Sequence, residues 1–365
     1  MEIPFINLQA QLNPIRTEID DAVRQVFDAC SFIGGPAVEN FQVDAAQYLG
    51  VKHALGCGNG SDALYIALLA LGCGPGDEVI TVPYTYIATP EAIRRTGATV
   101  VFCDVEPVAY TMDPAKLKAL ITPKTRAILP VHIFGQSVNF EAIKQVAGAI
   151  PIIEDSAQAW GATRHGIKVG SLGTISCFSF YPTKTLGASG DGGLITTNDD
   201  ELAEAMLSIT LHGQSKERYY NDRAGINSRL DAVQAAILGL KLKYVDTWNA
   251  ERAVIAEYYT GRFAHTSVEI SKVLSGNTHV WHQCVILVQQ RDQLVAHLRG
   301  KGIGCGVYYP MPQHLQTCFL DLGYKAGEFP ETEGVCQRCL SLPCWPEMTQ
   351  AQRQLVADEV VAFVR

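Results

Sequence analysis

The stretch SFYPTKTLGASGDGG places a single lysine, Lys184, among glycines, small residues and a proline, with no acidic residue beside it. Just upstream, PIIEDSAQ reads as a buried strand that ends in Asp155. A lysine that forms an imine must spend part of its time unprotonated, and burial or nearby positive charge lowers its pKa enough to allow this. A pyridine-ring cofactor in turn needs an acid partner on its ring nitrogen, so that the ring withdraws electrons. Lys184 and Asp155 together therefore suggest a cofactor held as a Schiff base and steered by a carboxylate. Each also has a plainer reading: a surface lysine in a Gly-rich loop, and an aspartate capping the next helix.

Other polar residues fall at expected strand ends, where open parallel sheets bind ligands. CGNGSDAL follows a strand and opens a helix, so the amides of Gly60, Ser61 and Asp62 suit a phosphate, though an ordinary capped turn would look the same. No GK[ST] follows, which disfavours a nucleotide-triphosphate loop, and GNGSDA lacks the full dinucleotide fingerprint. Tyr86 in PYTYIATPEA offers an aromatic face to a planar ring, or else packs in the core. Gln158 lies just after Asp155, and Ser179 closes CFS shortly before Lys184, where its hydroxyl could reach the same phosphate.

The elements that must hold these residues follow from hydrophobic periodicity. HALGCG, DEVITVP, TVVFCDV, RAILPVHI, PIIEDSA, TISCFSF and GGLITT read as strands, and SDALYIALLAL, PEAIRRTG and FEAIKQVAGA as helices. This βαβα rhythm implies a mostly parallel central sheet flanked by helices. Residues 12 to 30 read as an amphipathic helix, and about 230 to 260 as one long helix bridging two domains. Beyond it, HVWHQCVILV and GCGVYY look like strands, while DQLVAHLRGKG and 350 to 364 look like helices. The chain thus divides into a large domain over 1–249 and a smaller C-terminal α+β domain over 250–365.

With 365 residues, 47% hydrophobic and 18% charged, the chain can bury a large core. Its net charge of -8 and lack of a basic run make nucleic acid and anionic membrane poor partners. No apolar run approaches a membrane span and MEIPFINLQAQ does not read as a leader, so the cytoplasm is the expected location. The eleven cysteines are irregularly spaced, against a disulfide framework. Cys336 and Cys339 form one CxxC, but a zinc site would want a second pair, so no metal is expected.

Over nearly its whole length the chain resembles the DegT/DnrJ/EryC1/StrS aminotransferases, in the segments NGSDAL, GDEVITVPYTYIAT, IEDSAQAWGA, SFYPTKTLGASGDGG, HGQSKERYYNDRAGINSRLDAVQAAIL, YYPMPQHLQ and LSLP. The resemblance implies an α/β fold of the fold type I class and pyridoxal 5'-phosphate as cofactor. It implies Lys184 as the Schiff-base lysine, Asp155 on the pyridine nitrogen, Gln158 near the ring hydroxyl and Tyr86 stacked on the ring. Gly60, Ser61 and Ser179 would hold the phosphate, and Asn227 in GINSRLD would reach the phosphate of a neighbouring subunit, implying a homodimer with shared active sites. One branch of the family dehydrates sugars and carries histidine at the lysine position; Lys184 points to transamination.

The resemblance further implies L-glutamate as amino donor, 2-oxoglutarate as its product and a nucleotide-linked ketosugar as acceptor. Arg229 is a candidate contact for the sugar or its anionic groups, or else a salt-bridge partner at a helix start. His282, Tyr308, Tyr309 and His314 fall where the family's small domain faces the pocket. The segment around GINSRLD is most similar to enzymes that aminate a UDP-linked 3-oxo sugar such as the 2-acetamido-3-oxo-glucuronate. HYP is common there where this chain reads Tyr308-Tyr309-Pro310, which leaves a dTDP-linked 3-oxo or 4-oxo 6-deoxyhexose as the alternative. Two other classes stand as rivals: a regulatory protein that binds the cofactor without turnover, and a lyase or decarboxylase of the same fold.

Overall fold

The computed structural model describes residues 2–217 and 219–365. Strands His53–Cys57, Gly193–Thr197, Ile175–Ser179 and Ile153–Asp155 lie side by side in that order, as do Thr99–Phe102, Glu78–Thr81 and Thr125–Ile128. Parallel bridges from Ile128 to Ile152 and from Val131 to Asp155 join the two sets into one sheet. Only Gly193–Thr197 runs antiparallel to its neighbours among these strands.

Alternation along each strand sorts the side chains onto two faces. Val79, Ile153, Cys177 and Ile195 join one buried cluster with Ile66 and Ile93 from the helices Gly60–Ala70 and Ala88–Thr96. On the opposite face, Ile80 and Ile152 pack with Ile143 from the helix Phe140–Ala147, and Phe178 and Leu194 pack with Phe41 and Leu238. Both faces being covered, the central strands Ile153–Asp155, Ile175–Ser179 and Gly193–Thr197 are buried at all or nearly all positions, and they read as short apolar runs.

This sheet sets out the site. Asp155 and Ser179 end adjacent parallel strands. His53–Cys57 runs in the same direction one strand further on and leads into the helix that starts at Gly60. Their carboxyl ends, and the residues that follow, therefore open on one edge of the sheet.

Three expectations change. The 230–260 pattern is two helices, Ala232–Leu242 and Val245–Phe263. Lys243 and Tyr244 donate their amides to Leu240 and Lys241 at 3.2 and 3.0 Å, a tighter turn, and the Tyr244 hydroxyl is tied to Glu18 at 2.8 Å. No proline or glycine stands at the break. The N-terminal helix is likewise interrupted, by a short 3-10 turn at Asn13–Ile15 around Pro14. GCGVYY does not form a strand. Only Gly306 within it pairs with a strand, exchanging both backbone hydrogen bonds with Ser341 at 3.2 and 2.7 Å, while Ile3 pairs beside it, donating to Gly302 at 2.9 Å and accepting from Gly304 at 2.8 Å. Cys284–Leu287 pairs with Glu269–Ile270 on one side and with Cys339–Leu342, which overlaps LSLP, on the other.

That antiparallel sheet, the helix Val245–Phe263 and the closing helix Gln350–Val364 enclose a second core that takes in Ile3, Tyr259, Ile286, Leu340, Trp345 and Val360. The eleven cysteines are unpaired. Among the described residues, no group of three or more His, Cys, Asp or Glu is placed to hold a metal ion, and no helix is long and apolar enough to cross a membrane.

Candidate active site

Asp155 is buried at the end of its strand. Its Oδ2 accepts from the Thr89 hydroxyl at 2.7 Å and its Oδ1 from the Ala157 amide at 3.2 Å. Thr89 in turn shares a proton with Thr85 across 2.8 Å, so the carboxylate ends a short polar chain. Burial pushes the Asp155 pKa up, while the Thr89 and Ala157 hydrogen bonds and the charge of Lys184 pull against that shift. Neither Thr85 nor Thr89 stood out in the sequence. The only signal was their four-residue spacing, with Thr85 in the loop after the Glu78–Thr81 strand and Thr89 in the first turn of the helix Ala88–Thr96.

Lys184 sits in a closed loop between strands Ile175–Ser179 and Gly193–Thr197. Its amide donates to Tyr181 O at 2.8 Å, and Ala188 N donates to Phe180 O at 2.8 Å. The loop is tight enough to need glycine at 187, where a Cβ would lie 2.3 Å from Pro182 O. Among the described residues none accepts a hydrogen bond from Lys184 Nζ. Burial lowers its pKa to about 8, with the Asp155 charge acting in the opposite direction. The two groups are thus near enough to feel each other, one on a strand end and one on the loop beside it.

Gln158 is fixed at both ends: the Phe134 amide donates to its Oε1 at 2.7 Å, and its Nε2 donates to the Tyr309 hydroxyl at 3.2 Å. Tyr309 is half-buried among the rings of Tyr84, Tyr86 and Tyr308, and loss of hydration together with the Asp155 charge raises its pKa. Tyr86 is 57% exposed, with its ring 6.2 Å from that of Tyr309 and open to solvent. The Tyr308 carbonyl accepts from the Tyr84 hydroxyl at 2.7 Å, and its ring is half-buried against Phe5.

The phosphate turn forms as its residue types dictate. Asn59 caps the helix by accepting from the Asp62 amide at 2.8 Å, which leaves the Gly60 and Ser61 amides at its start. A Cβ on Gly60 would lie 2.6 Å from the Ser179 Cβ, so glycine lets the turn close on that serine. Asn227 and Arg229 are exposed, while Ser228 between them is buried and accepts from the Gly58 amide at 2.9 Å. His282 is buried, within reach of the Lys184 charge, and its Nδ1 has no partner among the described residues. His314 is not brought to the opening. It is fully buried, with its ring 4.6 Å from Phe329 and its Nε2 3.3 Å from Glu333.

A phosphorylated pyridine aldehyde such as pyridoxal phosphate fits this donor set. Lys184 is an amine of lowered pKa whose Nζ has no acceptor among the described residues. Asp155 is a buried carboxylate with capacity left on Oδ1 for a ring N–H. The Gly60 turn presents amides beside Ser179 for a phosphate.

Known proteins resemble the chain over nearly its whole length. A "Pleiotropic regulatory protein" of Geobacillus stearothermophilus is 46% identical over 100% of this chain and 99% of its own. The dTDP-3-amino-3,4,6-trideoxy-alpha-D-glucose transaminase of Streptomyces venezuelae is 38% identical over 98% and 95%. The UDP-2-acetamido-2-deoxy-3-oxo-D-glucuronate aminotransferase of Pseudomonas aeruginosa is 39% identical over 97% and 98%. Among solved structures, S. venezuelae DesV in complex with a ketimine intermediate superposes with a TM-score of 0.97 at 37% identity, covering 100% of this chain and 99% of that one. The model of the DegT/DnrJ/EryC1/StrS aminotransferase family matches residues 13–361. The chain belongs to that family and is a pyridoxal-phosphate-dependent sugar aminotransferase.

Proposed function

We propose that the protein moves an amino group from L-glutamate to the C3 ketone of a nucleotide-linked 3-oxo sugar, with Lys184 and Asp155 carrying the chemistry. The observation that carries this reading is the pairing of a buried carboxylate on a strand end with a lysine of lowered pKa in the adjoining loop. Bound pyridoxal phosphate supplies an electron-withdrawing ring conjugated to the carbon that loses its proton.

The chain's own groups do the rest. Lys184 Nζ, with a pKa of about 8, is unprotonated in a useful fraction near neutrality. It takes the α-proton of the amino donor, and in the second half of the cycle it returns a proton to the sugar carbon that receives nitrogen. Asp155 accepts from the ring N–H and holds that proton in place, and Thr89 orients the carboxylate. Gln158, locked by Phe134 and Tyr309, stands beside the ring, and Tyr86 offers its open face to it. Gly60, Ser61 and Ser179 take the phosphate.

The acceptor is a C3 ketone because the Streptomyces and Pseudomonas relatives both have names that place the new amine or the ketone at position 3. UDP-2-acetamido-2-deoxy-3-oxo-glucuronate is the first substrate to try, since exposed Arg229 offers a fork for a carboxylate or a diphosphate. The dTDP-linked 3-oxo and 4-oxo 6-deoxyhexoses are the competitors, and Tyr308 in place of a histidine is the residue to watch between them.

We further propose a homodimer in which Asn227 reaches the neighbour's phosphate. Support comes from an apolar face beside this segment. Phe32 and Ile33 are 42% and 53% exposed, Ile33 bridges to Asp231, and the Phe32 carbonyl accepts from the Ala232 amide at 3.0 Å.

The reverse reaction tests the substrate. The protein is incubated with 2-oxoglutarate and a panel of UDP- and dTDP-linked amino sugars, and glutamate is measured. Glutamate from a 3-amino sugar is expected. Glutamate only from 4-amino sugars overturns the C3 assignment, and none from any sugar favours the regulatory role suggested by the name of the Geobacillus relative.

A further inference from the structure

Lys241 is a buried cation to which the proposed chemistry gives no part. Its side chain is 2% exposed, and among the described residues no carboxylate pairs with it. Burying an ammonium in this way is costly, and burial alone lowers its pKa to about 8. A position that needed only volume would hold leucine or methionine at less cost. Here Nζ donates to the Gly187 carbonyl, three residues after Lys184, and lies 5.8 Å from the centre of the Trp248 ring.

The same helix, Ala232–Leu242, grips the loop a second time. Gln234 Oε1 accepts from the Ser189 amide at 2.8 Å, and a Cβ on Gly190 would come within 3.1 Å of Gln234 Nε2. The helix is itself tied to the phosphate turn, because Ser228, just before its start, accepts from the Gly58 amide at 2.9 Å. The helix thus touches the loop that bears Lys184, and the segment leading into it touches the turn that faces the phosphate.

We propose that Lys241 and Gln234 are positioning residues for Lys184: from one helix they fix the return limb of its loop and so set where Nζ stands relative to Asp155 and the phosphate turn. This rests on the reading of Lys184 as the residue that bears the cofactor.

Hydrogen exchange on the cofactor-free protein and steady-state kinetics on the loaded enzyme test it, for Lys241→Met, Lys241→Arg and Gln234→Ala. In Lys241→Met and Gln234→Ala, the amides of Lys184, Ala188 and Ser189 are expected to exchange about tenfold faster or more, with the strands at 175–179 and 193–197 unchanged. For the same two variants kcat is expected to fall by roughly 10- to 100-fold, with KM for the amino donor nearly constant, since displacement of a reacting group costs rate rather than binding. Lys241→Arg keeps a donor and is expected to recover part of the loss. If Lys241→Met does not fold, Gln234→Ala decides alone. Unchanged loop exchange and unchanged kcat in Gln234→Ala overturn the proposal, as does exchange that rises equally in loop and strands. Failure of the Lys184 reading shows separately, as loop amides that respond while no cofactor is found attached at Lys184.

Discussion

At the scale of single residues, the site turns on how burial sets the charge of two neighbouring groups. Burial alone would protonate Asp155 and deprotonate Lys184, and each opposes the shift of the other. Thr89 works against the burial of Asp155 by donating to Oδ2, and Thr85 holds Thr89 in turn. A buried hydrogen bond to a charged group is worth roughly 1.5–3 kcal/mol. Thr89→Val keeps the shape and removes the donor, so kcat is expected to fall by about 10- to 100-fold with the fold intact, since each 1.4 kcal/mol is tenfold. Steady-state rates with circular dichroism as control check this, and a variant with the parent's kcat would remove Thr89 from the site. Lys184 and Asp155 were legible in the sequence because each sits in an unusual local composition. Thr89 was not, because a threonine in the first turn of a helix is ordinary until the strand it faces is known.

At the scale of elements, the site depends on how closely strand ends and turns approach one another. Every strand in the parallel sheet was legible as a short apolar run, since burial on both faces leaves no polar alternation to confuse the reading. The misread segments share one cause. Tyr244 at the helix break is tied to Glu18, and GCGVYY keeps only the bridge from Gly306 to Ser341 beside the N-terminal Ile3 segment, so both involve partners far away in the sequence. The close approach at Gly60 gives the most local test. A methyl group there meets the Ser179 Cβ at 2.6 Å, and overpacking of this kind costs about 1–3 kcal/mol. Gly60→Ala is expected to weaken cofactor retention by about tenfold or more, with kcat recovering largely at saturating cofactor. Titration of the visible absorbance with pyridoxal phosphate reads this, and an unaltered affinity would place the phosphate elsewhere.

At the scale of the whole molecule, the exposed residues Asn227 and Arg229 and the apolar pair Phe32 and Ile33 lie along one face. A second copy on this face would bury the apolar pair and carry Asn227 to the neighbour's phosphate. Ile33→Lys places a charge where that contact would form while leaving the monomer's core untouched. It is expected to shift sedimentation toward the monomer and to lower specific activity by about tenfold or more, because charge is excluded from interface cores. Full activity from a monomer would show that each chain completes its own site. The most direct measurement concerns Lys184. The protein is loaded with pyridoxal phosphate, reduced with borohydride, digested and mapped by mass spectrometry. The expected result is cofactor mass on the peptide containing Lys184, absent from Lys184→Ala, which also loses turnover. Cofactor mass on another lysine, or turnover retained by Lys184→Ala, would contradict the account.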